Sequence, residues 1–248
     1  SAHKTESHSA ELVSSLDLTT LNQPIPALHS GVYINEPGGG EARVPQSDKE
    51  RYLLAQHHSA THLIHHALRT VLGEHVQQAG SLVDINRLRF DFTHHERVSD
   101  KQLADIQTFI TKAINAASAI DANEMPIAEA KANGAIAMFG EKYGDTVRVI
   151  DIHSVSKELC GGNHVQNTKD IETCRILSES AVAAGTRRIE AIAGQWNIEQ
   201  YDYTHRLKTI ASLEKKLQRA QAIFKSLSDT SIDESLLDTE LNNVSNED

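Results

Sequence analysis

The segment Lys49–Gly73, which reads KERYLLAQHHSATHLIHHALRTVLG, is the starting point for interpreting this sequence. Apolar residues recur in it every three or four positions and Gly73 follows as a stop signal, so the pattern predicts an amphipathic helix. His58 and His62 are four positions apart and therefore share one helix face, from which two imidazoles can point at one ion. Because three further histidines lie in the same segment, such a pair arises easily, and alone it is weak evidence for a metal site.

A second short segment, Cys160–His164 with the sequence CGGNH, also has the spacing of metal ligands. Its two glycines let the backbone bend tightly enough for Cys160 and His164 to face the same point. Together the two segments supply three imidazoles and one thiolate, a set that tetrahedral zinc accepts. The commoner fate of a lone cysteine is inert burial, and we expect that for Cys174, which lies in an apolar strand pattern.

Strands and a second helix are predicted around the histidine helix. Apolar alternation predicts strands at 81–83, 88–92, 147–150, 174–177 and 188–192, with a strand-like run at 31–34. One apolar face predicts a helix over 99–119. The fold class is therefore α+β: an antiparallel sheet with packed helices, plus a C-terminal coiled-coil-like helix near 198–227.

The chain divides in this interpretation into four parts. They are an arm and partial β segment at 1–48, a main domain at 49–195, a helical linker at 196–228 and an acidic, disordered tail at 229–248. The apolar stripe of the linker helix fits a partner helix or packing against its own domain, and the sequence leaves both open.

The net charge of −10 argues at first against RNA binding, because phosphate contacts need clustered Lys and Arg. The acidic surplus is concentrated at the two ends, however, so an RNA footprint in the middle of the chain stays open. No apolar run approaches the roughly 18 residues of a membrane span, and the first residues lack the pattern of a secretion signal. We therefore expect a cytoplasmic protein with no membrane partner.

Six segments, in the same order, resemble the editing domain of alanyl-tRNA synthetase and its free-standing AlaX relatives. They are HSATH at 58–62, VQQAGS at 76–81, LRFDF at 88–92, GAIAMFGEKYG at 134–144, ELCGG at 158–162 and SESAVAAGTRRIEAIAG at 178–194. The resemblance covers residues 50–195 densely, and six ordered motifs are a specific signal. It implies that the main domain is a zinc-dependent aminoacyl-tRNA editing domain.

The resemblance also implies roles for individual residues. The implied zinc ligands are His58, His62, Cys160 and His164. Gln78 matches a glutamine that lines the amino-acid pocket of the family. The catalytic candidates are Gln78, His58 and Cys160, and the substrate-binding candidates are Gln78, Thr61, Asn163, Arg187 and Arg188. Four protein ligands make a closed zinc site, so the sequence leaves open whether the ion assists hydrolysis or anchors the tRNA end.

The implied activity is an ester hydrolase that removes serine, and also glycine, from tRNA(Ala), whose acceptor end is the partner. The sequence leaves open whether the chain is a free-standing editor or the editing part of a longer synthetase. It also leaves open whether the C-terminal helix mediates self-association or continues covalently into further synthetase domains.

Two alternatives are kept beside this activity. One is a catalytically weak tRNA- or partner-binding module with a structural zinc. It is favoured by Asn163 and Ala181, which stand where threonine and glycine are usual in the family. The other is an editing domain of the threonyl-tRNA synthetase type, which the segments at 134–144 and 178–194 disfavour.

Overall fold

The computed structural model describes residues 33–36, 40–137 and 143–229. Most of the predicted arm, the centre of the segment 134–144 and the tail beyond residue 229 lie outside the described residues. The chain divides into two compact units, Ser1–Ile198 and Glu199–Asp248. All described strands belong to the first unit.

Four helices are described. They are α1 (Asp48–Leu72), α2 (Asp100–Asn115), α3 (Ile127–Ala132) and α4 (Gln195–Asp229), with a short 3-10 helix at Thr168–Ile171. The strands are β1 (Tyr33–Glu36), β2 (Gly40–Arg43), β3 (Gln78–Val83), β4 (Leu88–Thr93), β5 (Ile120–Pro126), β6 (Thr146–Ile152), β7 (Ser156–Leu159), β8 (Cys174–Ala183) and β9 (Thr186–Ala193).

The described strands form two sheets. A six-stranded sheet has the order β1-β2-β3-β4-β9-β8, and a three-stranded sheet has the order β5-β6-β7. All pairs are antiparallel except β2 with β3, which is parallel. The predicted α+β class, with antiparallel sheet, packed helices and a long C-terminal helix, is confirmed.

The structure differs from the prediction in the number and length of elements. A single sheet was expected, whereas the described strands form two, because β5 carries no regular apolar alternation and α3 spans only six residues, so neither gives a sequence signal. Strand β5 is mostly exposed and is defined by its pairing with β6, from Ile120 opposite Ile152 to Pro126 opposite Thr146. Helix α2 ends at Asn115 instead of 119, because Ala117 has a left-handed φ of 51° that a helix does not continue.

Helix α1 passes through the centre of the first unit. It begins after Ser47, whose hydroxyl accepts a hydrogen bond from the amide of Glu50, and it ends at Gly73 with a φ of 118°. From Leu53 to Leu68 almost every side chain is buried, the polar ones included. It packs against the large sheet, against β7 of the small sheet and against α2. A helix buried on all sides must place its polar groups against internal partners.

The second unit, taken by itself, contains the continuation of α4 from Glu199. This stretch of the helix has a row of exposed apolar side chains, at Tyr203, Leu207, Ile210, Leu213, Leu217 and Phe224. The row repeats mostly at intervals of three and four residues, as predicted from the sequence. Among the described residues, no helix combines the length and apolar character that crossing a membrane requires.

The burial of Cys174 gives a first test of the fold. Burial raises the pKa of this thiol to about 12, so at pH 8 only about one molecule in ten thousand holds the reactive thiolate. In a Cys160→Ser variant, Cys174 is the only thiol. We expect Ellman's reagent to report no thiol in the native variant and one thiol per chain in guanidinium chloride. A rapid reaction in the native state would contradict the placement of β8.

Candidate metal centre

Four side chains from two distant segments meet beside α1. The metal cluster is defined here as His58, His62, Cys160 and His164, whose ligand atoms all lie within 4.8 Å of one another. Cys160 Sγ lies 3.3 Å from His58 Nε2 and 3.3 Å from His164 Nε2. Zinc bond lengths of about 2.0–2.1 Å to nitrogen and about 2.3 Å to sulfur place tetrahedral ligands about 3.3–3.6 Å apart. The metal cluster therefore has spacings at which it could hold a metal ion.

The loop that carries Cys160 and His164 is held by β6. The guanidinium of Arg148 donates hydrogen bonds to the carbonyls of Cys160, at 3.0 Å, and of Gly162, at 2.6 Å. The amide of Cys160 donates in turn to the carbonyl of Arg148, at 3.1 Å. These bonds fix the bend that the glycines permit. Arg148 was not identified from the sequence, because nothing in a strand pattern marks one arginine as a loop brace.

The ring of His164 is oriented by Ser59 of α1. The Ser59 hydroxyl oxygen accepts a hydrogen bond from the amide of Val165 and lies 3.2 Å from His164 Nδ1. An oxygen with two lone pairs can accept from Nδ1 as well, which leaves Nε2 unprotonated and directed at Cys160. Ser59 is thus a second site residue that sequence reasoning did not identify.

The ring of His62 contacts a buried carboxylate. Glu158 Oε2 lies 2.8 Å from His62 Nδ1, and His62 Nε2 is a buried ring nitrogen without a hydrogen-bond partner among the described residues. A buried polar atom without a partner is unusual, and a bound cation would satisfy it. The orientation of His62 is therefore what a metal ligand requires.

The electrostatics of the metal cluster favour the metal-binding forms of Cys160 and His164. Burial alone would raise the pKa of Cys160, but the neighbouring His58, with contacts from His164 and His62, holds it well below its ordinary value. Burial lowers the pKa of His164 to about 3, which keeps this imidazole neutral. Burial also acts to lower the pKa of His62, yet the Glu158 carboxylate raises it well above its ordinary value. A thiolate and neutral imidazoles are the forms that bind metal ions.

The other candidates from the sequence lie on β3, on α1 and in the loop that carries Cys160 and His164. Gln78 is half-buried on β3, and its amide nitrogen donates to the Ser81 hydroxyl at 3.3 Å. Thr61 is buried on α1 and donates to the His57 carbonyl at 2.9 Å. Asn163 is exposed in the loop beside His164.

Arg187 and Arg188 do not form one basic patch. Arg187 makes a two-bond ion pair with Glu179, at 2.5 and 2.7 Å, and Arg188 makes one with Asp91, at 2.6 and 2.8 Å. Consecutive residues of a strand point to opposite faces of the sheet, so the two guanidinium groups are separated by β9. Each arginine has a carboxylate partner within the fold.

One segment of the chain is similar to a known domain family. Residues 147–190 match the family described as "Threonyl and Alanyl tRNA synthetase second additional domain". This stretch contains β6, β7 and the loop with Cys160 and His164.

The similar curated proteins include alanine–tRNA ligases. The alanine–tRNA ligase of Pseudothermotoga lettingae is 53% identical over 156 residues, covering 63% of this chain and 18% of that protein. The alanine–tRNA ligase of Acidithiobacillus ferridurans is 45% identical over 212 residues, covering 84% of this chain and 23% of that protein. The predicted resemblance to the alanyl-tRNA synthetase family is therefore confirmed. The chain spans about a fifth of the length of these relatives.

The geometry predicts how much metal the chain holds. We expect elemental analysis of protein purified without chelator to find one transition-metal ion per chain. A Cys160→Ala/His164→Ala double variant should lose it, because two ligands cannot retain the ion. Cys174→Ala serves as the matched control and should keep it. Metal near zero in the wild type, or an unchanged content in the double variant, would contradict the site.

Proposed function

We propose that this chain is a zinc-dependent editing deacylase that hydrolyses serine, and also glycine, from mischarged tRNA(Ala). The observation that carries the proposal is the convergence of the metal cluster, half of which lies inside the matched segment 147–190. The proposal holds for a free-standing editor and for the editing part of a longer synthetase. It also implies a cytoplasmic location, where charged tRNA is used.

An editing site is needed because the alanine pocket of a synthetase rejects serine poorly. A pocket built for a small apolar side chain discriminates against one added hydroxyl by only about a hundredfold. A separate hydrolytic site can use the opposite asymmetry. If it hydrogen-bonds the serine hydroxyl, an alanine in its place leaves the same polar groups buried and without partners, which disfavours hydrolysis of the correct product.

In this proposal the metal cluster holds zinc, and zinc, when bound, supplies a Lewis acid for the ester. Gln78 recognises the amino acid. Its amide nitrogen is directed at Ser81, which orients the side chain and leaves Oε1 as the acceptor for the serine O–H. Thr61, whose hydroxyl proton is used within α1, contributes only an acceptor oxygen.

The tRNA end is bound in this proposal by Asn163 and by Arg187 and Arg188. Asn163 is exposed next to a metal ligand, so its amide can contact the ribose or the phosphates. Each arginine uses two of its five N–H donors on a carboxylate, which leaves three for a phosphate oxygen. Because the two lie on opposite faces of β9, they would contact different parts of the RNA.

The alternative of a weakly active binding module rests on two residues. Asn163 replaces the usual threonine beside His164, and Ala181 replaces a usual glycine where the register of β8 with β9 shifts. A threonyl-type editor is the less favoured alternative, since the similar curated proteins are alanine–tRNA ligases.

The exposed apolar row of α4 supports a further partner helix. We expect it to be provided either by a second copy of the chain or by a covalently continuous segment of a longer protein. Sedimentation equilibrium distinguishes these for this chain: a concentration-dependent dimer that Leu213→Glu disrupts supports self-association. A monomer at all concentrations would instead favour a covalently continuous segment as the source of the partner helix.

The selectivity of hydrolysis is the direct test of the function. We expect single-turnover hydrolysis of Ser-tRNA(Ala) to be much faster than that of Ala-tRNA(Ala). Replacing Gln78 with Leu should narrow this gap by about tenfold to a hundredfold, since a buried hydrogen bond contributes ~1–3 kcal/mol. Replacing Cys160 or His164 should lower both rates together, because the ester is common to both substrates.

Gln77→Leu is the matched control, because Gln77 is the neighbouring, exposed glutamine of the same segment. It should leave both rates near the wild-type values. Equal wild-type rates on the two substrates would refute the selectivity. If neither substrate is hydrolysed faster than it hydrolyses spontaneously, the chain is not a deacylase and the alternative of a binding module is favoured.

A further inference from the structure

Two buried ionisable residues beside the metal cluster have no role in the four-ligand set. Glu158 is 3% exposed and His65 is 4% exposed. Glu158 is on β7, two residues before Cys160, and His65 is on α1, three residues after His62, so His65 shares a helix face with that ligand. Burying a carboxylate is costly unless it is paired, so its position requires an explanation.

The two residues form a chain of contacts with His62. Glu158 Oε2 lies 2.8 Å from His62 Nδ1 and 3.2 Å from His65 Nδ1. Both imidazoles therefore donate to the same oxygen atom. Glu158 Oε1 and His65 Nε2 are buried and have no hydrogen-bond partner among the described residues.

We propose that Glu158 is the positioning residue of the metal centre, and that His65 acts through Glu158 instead of binding the ion. The inference rests on the metal site of the proposed function, and it assigns two residues to it. A hydrogen bond from Nδ1 to a carboxylate fixes the tautomer and the ring angle, which directs the Nε2 lone pair of His62 toward the other ligands.

His65 selects which carboxylate oxygen is used. With both donors on Oε2, rotation of the carboxylate would break two hydrogen bonds at once. Without His65, the carboxylate is free to turn and offer Oε1 to His62. The ring of His65 packs 5.3 Å from the ring of Phe90, on the side of the large sheet, and His65 is not part of the metal cluster.

Charge balance supports the assignment of Glu158. A divalent ion bound by three neutral imidazoles and one thiolate leaves a net charge of +1 in a buried place. The Glu158 carboxylate, one hydrogen bond away, brings the total to zero. An uncompensated buried charge is destabilising, so removing the carboxylate should weaken the binding of the ion.

The test measures metal affinity, by competition with a chromogenic chelator, and the absorption spectrum of the cobalt-loaded protein. Glu158→Gln, which keeps the volume and removes the charge, should weaken binding by about 10- to 100-fold and change the cobalt spectrum. His65→Phe should weaken it less. His65→Asn, which keeps a donor near the position of Nδ1, should restore wild-type affinity.

The double variant decides whether His65 acts through Glu158. If it does, Glu158→Gln/His65→Phe should bind no more weakly than Glu158→Gln alone. Additive losses would overturn this step, and wild-type affinity in Glu158→Gln would overturn the whole inference. If the cobalt spectrum loses its thiolate and imidazole bands more completely in His65→Phe than in Glu158→Gln, His65 is itself a ligand and its assigned role is wrong.

Two further variants separate positioning from general stability. Glu179→Gln is the matched control, because Glu179 is also a buried carboxylate in an ion pair but touches no member of the metal cluster. Its affinity should match the wild type, and a loss equal to that of Glu158→Gln would overturn the inference. If Glu158→Gln does not fold, Glu158→Asp can be used instead. This variant keeps the negative charge but moves the carboxylate away from His62, so it should still bind the metal ion more weakly than the wild type.

None of these measurements uses deacylation. A chain that binds metal as expected but hydrolyses no charged tRNA refutes the proposed function and leaves the inference standing. A chain that hydrolyses Ser-tRNA(Ala) but binds metal equally well with Glu158→Gln refutes only the inference.

Discussion

The burial of a helix with five histidines is the constraint on which the rest of the structure depends. An imidazole inside a core must find a hydrogen-bond partner or a cation, because an unpaired polar group there costs several kilocalories per mole. His57 Nδ1 meets this need with the carbonyl one turn earlier, and His65 Nδ1 meets it with Glu158, while Nε2 of both rings has no hydrogen-bond partner among the described residues. His58 and His62 face the loop that carries Cys160. A bound metal ion would satisfy His62 Nε2, which has no hydrogen-bond partner among the described residues.

The two sheets have different roles around this helix. The large sheet covers one side of α1 with the apolar residues of β4 and β9, such as Phe90 and Ile189, and carries Gln78 on β3. The small sheet positions polar residues at the metal cluster. Its strand β7 carries Glu158 and is followed directly by Cys160, and its strand β6 carries Arg148. The metal centre thus lies where α1 meets the small sheet, and its loss should affect the packing between them.

Periodicity and short motifs revealed much of this arrangement in advance. The spacing of His58 and His62 and of Cys160 and His164 marked the metal cluster, because ligands of one ion come from tight turns and single helix faces. Glu158 could not be found in that way, since a carboxylate that supports a ligand has no fixed spacing. Strand β5 was missed because its partner β6 defines it, and sequence alternation reports burial and not pairing. Arg187 and Arg188 are consecutive in the sequence, but the alternation of β9 places them on opposite faces of the sheet.

If a metal ion completes the buried core around α1, removing the ion should lower the temperature of thermal unfolding. An ion present at about a thousand times its dissociation constant contributes ~4 kcal/mol, which corresponds to roughly 8–16 °C in Tm for a protein of this size. We expect chelation to lower the Tm by about 10 °C in the wild type and to leave that of Cys160→Ala/His164→Ala unchanged. A wild-type Tm that does not respond to chelator would contradict the claim.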